Sequence, residues 1–130
     1  MQLTDEKLDS IHSLCKKYGI EGLVLYGSAV NYEKYNDIDL CYISPKRFDF
    51  QNLLNCISEL IDIFSNDRID LVYWSDASEL LKNEMANNHQ ILFGDESYVL
   101  KFLLAGQRMY WDFRKYYDVL NNQLKSKING

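Results

Sequence analysis

The pattern of apolar and polar positions along the chain predicts helices that alternate with short strands. Apolar residues recur every three or four positions between Thr4 and Gly19, and again across residues 50–64, so both segments are predicted to be amphipathic helices. Thr4 suits the first helix as its cap, and Gly19 suits it as its end. Other apolar runs are typical of strands buried in a sheet. These runs cover residues 23–26, 37–43 and 69–74.

The second half of the chain predicts one further helix, one further strand and a long final helix. Ser75 or Asp76 is predicted to cap the first of these, and residues 91–93 form a short apolar run that Gly94 ends. The final helix has one apolar face, in which Gly106 is the weak point. That face includes Phe102, Met109, Phe113, Tyr116, Tyr117, Leu120 and Leu124.

Strands that alternate with helices predict an α/β or α+β fold in which helices cover a sheet. The 130 residues contain no internal repeat and no Pro/Gly-rich linker, so residues 1–130 are expected to form one domain. Residues 96–130 are expected to be a helical extension of that domain. The extension differs in charge, because residues 97–130 carry a net +4 and the rest of the chain carries −9.

The composition of the chain restricts which classes of partner and which cellular compartment are expected. A net charge of −5 argues against a protein that holds duplex nucleic acid through its phosphates, so direct nucleic-acid binding is not expected and a small molecule or a protein is the expected substrate. The three cysteines have no Cys-x-x-Cys spacing, which indicates reduced thiols rather than a zinc site. The amino terminus does not resemble a signal peptide, and no uncharged apolar stretch could cross a bilayer. A cytoplasmic protein without membrane contact is therefore expected.

Three aspartates are the candidate metal ligands. Asp37 and Asp39 are two positions apart in a predicted strand, so their carboxylates lie on one face and repel each other unless a cation separates them. Asp70 interrupts another apolar run, where a lone charge would be costly. The three carboxylates could hold two Mg²⁺ ions. The competing interpretations are solvated turn aspartates, and for Asp70 an edge-strand position facing water or an ion pair with Arg68.

The dipeptide Gly27-Ser28 supplies a candidate phosphate site beside these carboxylates. Glycine lets the backbone approach a ligand closely, and a serine hydroxyl with free N–H groups at the start of a following helix can bind phosphate oxygens. A phosphate site next to carboxylate-bound metal ions indicates phosphoryl or nucleotidyl transfer.

These motifs resemble the signature of polymerase-β-type nucleotidyltransferases, and most closely of their minimal single-domain (MNT) branch. The resemblance rests on Gly-Ser at 27–28, Asp-Ile-Asp-Leu at 37–40, Ile-Asp-Leu at 69–71 and Asn-His-Gln-Ile-Leu-Phe-Gly at 88–94. Within that branch, the size and the carboxy-terminal pattern are similar to the antitoxins of HEPN/MNT toxin-antitoxin pairs. The resemblance implies a small mixed sheet flanked by helices with a long carboxy-terminal helix.

The resemblance also implies roles for the candidate residues. Gly27 and Ser28 would hold the triphosphate of ATP, Asp37 and Asp39 would bind both Mg²⁺ ions, and Asp70 would help to activate the acceptor hydroxyl while completing the metal site. The similar antitoxins move AMP from ATP onto a tyrosine hydroxyl of the cognate HEPN toxin and so silence its ribonuclease activity. A protein adenylyltransferase that acts on such a toxin is the first functional hypothesis.

The segment between the two motifs departs from the family pattern. Many relatives follow Gly-Ser with an arginine and a glycine, whereas residues 29–36 contain neither and form a shorter loop. Lys34 in this loop is expected to be solvated rather than catalytic. A second hypothesis is therefore a non-catalytic antitoxin that neutralises its toxin by binding alone. A third, nucleotidyl transfer to a small molecule, normally needs a further substrate-binding domain.

Overall fold

A computed structural model describes residues 1–33 and 35–129, and within them four strands form one mixed sheet in the order β3-β2-β1-β4. Strand β1 is antiparallel to β2 and to β4, while β2 and β3 are parallel. The helices and strands are α1 (Asp5–Tyr18), β1 (Gly22–Tyr26), α2 (Ser28–Asn31), β2 (Ile38–Ile43), α3 (Phe50–Phe64), β3 (Ile69–Tyr73), α4 (Glu79–Asn87), β4 (His89–Phe93) and α5 (Glu96–Asn129). The predicted α/β fold with a mixed sheet and a long final helix is confirmed.

The central strand β1 has a core on each face. Leu23 and Leu25 face α1 and α3, whereas Val24 and Tyr26 face α4 and the first turns of α5. All five residues of β1 are buried, which explains why its sequence is a continuous apolar run. Only the second face carries the candidate site, at the end of the sheet where β1 finishes and β2 begins.

The helix caps agree with the sequence at α1 and disagree at α4. Thr4 Oγ1 accepts a hydrogen bond from the Lys7 N–H at 3.2 Å, and Gly19 ends α1 with a φ of 69°. The prediction that Ser75 or Asp76 caps the next helix is wrong. Both lie in a 3₁₀ turn over Trp74–Asp76, and Ser78 caps α4 by accepting from the Leu81 N–H at 3.1 Å. The buried Trp74 packs in the core on this face of the sheet, and the helix begins two or three residues later than predicted.

Gly106 is a contact position and not only a weak point of α5. A Cβ atom at this residue would lie 2.8 Å from Cη2 of Trp74 and 2.9 Å from Cβ of Lys82. The absence of a side chain therefore lets α5 approach α4 and the turn at Trp74. Lys82 is itself buried, and its Nζ lies 5.2 Å from the centre of the Trp74 indole.

The three cysteines are free and buried, as the prediction of reduced thiols requires. Burial raises the pKa of each thiol, Cys15, Cys41 and Cys56, to about 12. These side chains act as small apolar core residues and are poor nucleophiles at neutral pH. No helix in the described part of the chain has the length and apolar character needed to span a bilayer.

Candidate active site

Four polar residues form a row across the sheet, one from each strand. Asp70 on β3 pairs with Asp39 on β2, Asp39 with Tyr26 on β1, and Tyr26 with His89 on β4. Residues that pair directly across strands project from the same face. The parallel pairing of β2 and β3 thus brings two of the three predicted aspartates side by side.

Burial and, after it, the neighbouring carboxylates raise the pKa values of two members of this row. Burial, then the carboxylates of Asp70 and Asp37, raises the pKa of Asp39 above its ordinary value. Burial, then Asp70 and Asp39, raises the pKa of Tyr26. Tyr26 is therefore a neutral phenol, and the negative charge gathered around Asp39 is of the kind that a divalent cation relieves.

Asp37 precedes β2 and lies at the exposed margin of the row. Its Oδ1 is 4.0 Å from Nη1 of Arg68, and both side chains are about two-thirds exposed. An ion pair at this distance and exposure contributes little to stability, so Asp37 is free to turn towards a cation. Sequence reasoning offered Arg68 as a partner for Asp70, and the structure pairs it with Asp37 instead.

Gly27 lies directly against the carboxylate of Asp39. Its φ of 76° lies in the left-handed region, and a Cβ atom there would approach Oδ2 of Asp39 to 2.5 Å. Only glycine satisfies both conditions. Ser28 follows as the exposed first residue of α2, which has four residues, so the predicted phosphate dipeptide and Asp39 are in contact.

Within the described residues, no three carboxylate, imidazole or thiol groups converge into a ready-made metal centre. Asp39 and Asp70 are neighbours and Asp37 stands apart, as three repelling carboxylates would. Oxygen donors of this type suit Mg²⁺, which commonly uses one or two carboxylates together with water and substrate phosphates. The residues therefore fit a magnesium ion, and metal binding by Asp37, Asp39 and Asp70 stays a prediction.

Two residues that the sequence did not single out for the site lie beside it. His89 was expected to be a surface or packing residue; it ends the row and its Nδ1 is 2.8 Å from the carbonyl oxygen of Met85. Asn88 accepts a hydrogen bond from Nδ2 of Asn31 at 3.0 Å, which connects α2 to the start of β4. Both residues belong to the motif at 88–94, but that motif does not place them beside the aspartates, because their positions depend on the pairing of β4 with β1. Lys34, expected to be solvated, lies outside the described residues.

Comparison with known proteins identifies this arrangement. The family model "Polymerase beta, Nucleotidyltransferase" matches residues 9–98, which include the whole row and the Gly-Ser dipeptide. The chain belongs to the polymerase beta nucleotidyltransferase family. A candidate protein adenylyltransferase of Methanocaldococcus jannaschii is 27% identical over 107 residues, which cover 81% of this chain and 80% of that protein. The prediction of a nucleotidyltransferase is confirmed.

Solved structures share the fold of this nucleotidyltransferase. One is tri-AMPylated Shewanella oneidensis HEPN toxin in complex with MNT antitoxin, with a TM-score of 0.72 and 18% identity over 95% of this chain and 99% of the matched chain. Another is a toxin-antitoxin with AMP-PNP, with a TM-score of 0.73 and 18% identity over 91% of this chain and 98% of that one. The resemblance to the MNT antitoxins of HEPN toxin pairs is confirmed at the level of the fold.

Proposed function

We propose that this nucleotidyltransferase is a Mg²⁺-dependent protein adenylyltransferase that moves AMP from ATP onto a tyrosine hydroxyl of a cognate HEPN-domain toxin, and so acts as its antitoxin. The observation that carries the proposal is the contact of Gly27 with Asp39 beside Asp70. A glycine whose backbone could approach a phosphate thus lies against paired carboxylates, and this supports the proposal. The relatives named above support protein as the substrate class and a HEPN toxin as the partner.

Each site residue has a defined task in this proposal. Gly27 and Ser28 would bind the triphosphate, and Asp37 and Asp39, with Asp70 completing the site, would hold two Mg²⁺ ions, which would supply positive charge to the reacting phosphate. Asp70 accepts the proton of the acceptor hydroxyl, whose oxygen bonds to that phosphorus. The bond to the β-phosphate oxygen breaks and pyrophosphate leaves.

The intact mass of the toxin tests the proposal. After incubation with this protein, ATP and Mg²⁺, the toxin should gain one AMP unit or a small multiple, on tyrosine, and its ribonuclease activity should fall. Asp39→Asn should abolish the gain because it removes the central carboxylate of the row. Asp67→Asn is the matched control, since Asp67 is an exposed aspartate on the segment that leads into β3.

The same experiment decides between catalysis and binding alone. The arginine-free segment 29–36 is the observation that favours a non-catalytic antitoxin. If the wild-type protein adds no AMP, and Asp39→Asn still suppresses the ribonuclease at equal concentration, the adenylyltransferase proposal fails and neutralisation by binding replaces it. Transfer of AMP to serine or lysine would contradict only the proposed acceptor.

A further inference from the structure

The second half of α5 extends away from the rest of the protein. The last hydrogen bond between α5 and the preceding elements joins Nε2 of Gln107 to Oδ1 of Asn87 at 3.0 Å, among the described residues. We call residues 108–128 the arm, and residues 1–107 the body. Every arm side chain is exposed except Tyr110 and Asn121, which are half-buried. At about 1.5 Å per residue, the arm is roughly 30 Å long.

Large apolar side chains form one stripe along the arm. The stripe consists of Met109, Phe113, Tyr117, Leu120, Leu124 and Ile128, which are between 42% and 82% exposed. It continues the face by which Val99, Leu103 and Gly106 contact the body, as helical spacing requires. An exposed apolar face of this length is typical of a surface that another protein covers.

The spacing of the stripe is the same in both directions along the chain. Successive members are separated by four, four, three, four and four residues. If a second arm runs in the opposite direction and is aligned at the midpoint between Tyr117 and Leu120, the stripes of the two arms therefore face each other along their whole length. Tyr117 then lies opposite Leu120, Phe113 opposite Leu124, and Met109 opposite Ile128, so each larger ring meets an aliphatic chain. A surface that is complementary to itself by twofold rotation is what an isologous dimer needs.

We propose that the arm pairs with the arm of a second copy of this chain, in antiparallel orientation, to form a two-helix dimer interface. The proposal is independent of the adenylyltransferase proposal. Residues 109–128 begin just after Gln107, whose side chain makes the last hydrogen bond to the body among the described residues. A partner arm would therefore cover the same side of α5 that the body covers nearer the start of the helix.

Charge favours the antiparallel over the parallel orientation. The segment up to Glu96 carries a net −9, and two such segments side by side would repel each other. Antiparallel arms hold the bodies at opposite ends, roughly 30 Å apart, which exceeds a Debye length of about 8 Å at physiological salt. They also bring Lys125 and Lys127 of each arm towards the acidic body of the other copy.

The stripe is large enough for a stable contact. A fully buried aromatic side chain removes about 150–250 Å² from water. Side chains that are half-exposed at the outset contribute at most about 100 Å² each, so the six stripe residues with their neighbour Tyr116 supply up to roughly 700 Å² per copy. Standard interfaces bury roughly 800 Å² per partner.

Molar mass in solution tests the proposal with a matched pair of variants. The wild-type chain at micromolar concentration should have about twice the 15.3 kDa of one copy by light scattering. Leu120→Glu places a charge at the centre of the stripe and should give a monomer with unchanged helicity. Val119→Glu adds the same charge to a side chain that is 58% exposed and lies outside the stripe, about 100° around the helix from Leu120, and should remain dimeric. A monomeric wild-type chain overturns the proposal, as does an equal effect of both variants.

Cysteine cross-linking tests the orientation. The natural cysteines are buried, so an added surface cysteine can be oxidised selectively. A mixture of the single variants Tyr117→Cys and Leu120→Cys should give mainly the mixed disulfide. Efficient linking of Leu120→Cys to itself would instead show parallel arms. If the wild type is a monomer that binds the HEPN toxin, and Leu120→Glu alone abolishes that complex, the arm belongs to the toxin interface.

Discussion

At the scale of single residues, the contact between Gly27 and Asp39 makes the clearest prediction. Gly27→Ala should destabilise the fold by about 1–3 kcal/mol, because a φ of 76° with a ψ of −158° is a backbone conformation that glycine alone adopts readily. Its Cβ, 2.5 Å from Oδ2 of Asp39, should also displace that carboxylate and lower AMP transfer by about a hundredfold. Thermal unfolding and the initial rate of transfer measure the two effects.

Gly19→Ala separates these two effects. Gly19 also has a positive φ, 69°, but its ψ of 28° is that of the αL conformation, and nothing lies within 4 Å of the position of its Cβ. The control should therefore lose some free energy of unfolding, about 1 kcal/mol and less than Gly27→Ala, and keep its transfer rate. If both variants transfer AMP equally well, the contact with Asp39 has no part in catalysis.

Residue spacing predicts the candidate site only where the site residues lie within one strand or on two neighbouring strands. Adjacent apolar strands bring Asp70 close to Asp39, as the spacing predicts. The strand predicted over residues 37–43 begins at Ile38 instead, so Asp37 lies outside the strand periodicity. The ion pair of Arg68 with Asp37 could not be read this way. It arises because each residue immediately precedes the paired positions Ile38 and Ile69 in the parallel ladder. The register of two separate strands is a tertiary property, and the same holds for His89.

At the scale of elements, Gly106 determines how closely α5 approaches the body. Gly106→Ala gains about 1 kcal/mol of helix propensity but forces a Cβ to within 2.8 Å of Trp74 and 2.9 Å of Lys82, and overpacking of this kind costs about 1–3 kcal/mol. We expect a net loss of about 1 kcal/mol in the free energy of unfolding, measured in urea. In a Trp74→Phe background, which removes the crowding indole atoms, the same substitution should cost less or stabilise. Equal costs in both backgrounds would contradict the packing explanation.

Elements were predicted best where one pattern decides them alone. Helix α3 was recognised from its apolar stripe, and α1 from its cap and terminal glycine. The start of α4 was missed because Trp74 docks on the sheet, which no local signal shows. The sequence also does not show the residue at which α5 leaves the body, because one continuous apolar face runs through the buried and the exposed halves of the helix.

At the scale of the whole molecule, the acidic row couples folding to protons and to metal ions. Burial and the neighbouring carboxylates raise the pKa of Asp39 in the folded state, so the metal-free protein favours its protonated form more than the unfolded chain does. This contribution to stability is fully present below the ordinary aspartate pKa and is lost as the pH rises through the raised value. At neutral pH the repulsion is in force, and a cation that relieves it should stabilise the fold.

Mg²⁺ should therefore raise the unfolding temperature of the isolated protein at pH 7.5, without nucleotide or partner. At a hundred times its dissociation constant, a ligand adds about 2.7 kcal/mol to the free energy of unfolding. The increase should shrink at pH 5, because protons compete with the cation for Asp39.

Calorimetry of the wild type and Asp39→Asn, with and without Mg²⁺ at both pH values, measures this coupling. In Asp39→Asn, Mg²⁺ should raise the unfolding temperature only slightly, and this increase should not shrink between pH 7.5 and pH 5. A wild-type increase that persists undiminished in Asp39→Asn would mean that Mg²⁺ binds away from Asp39.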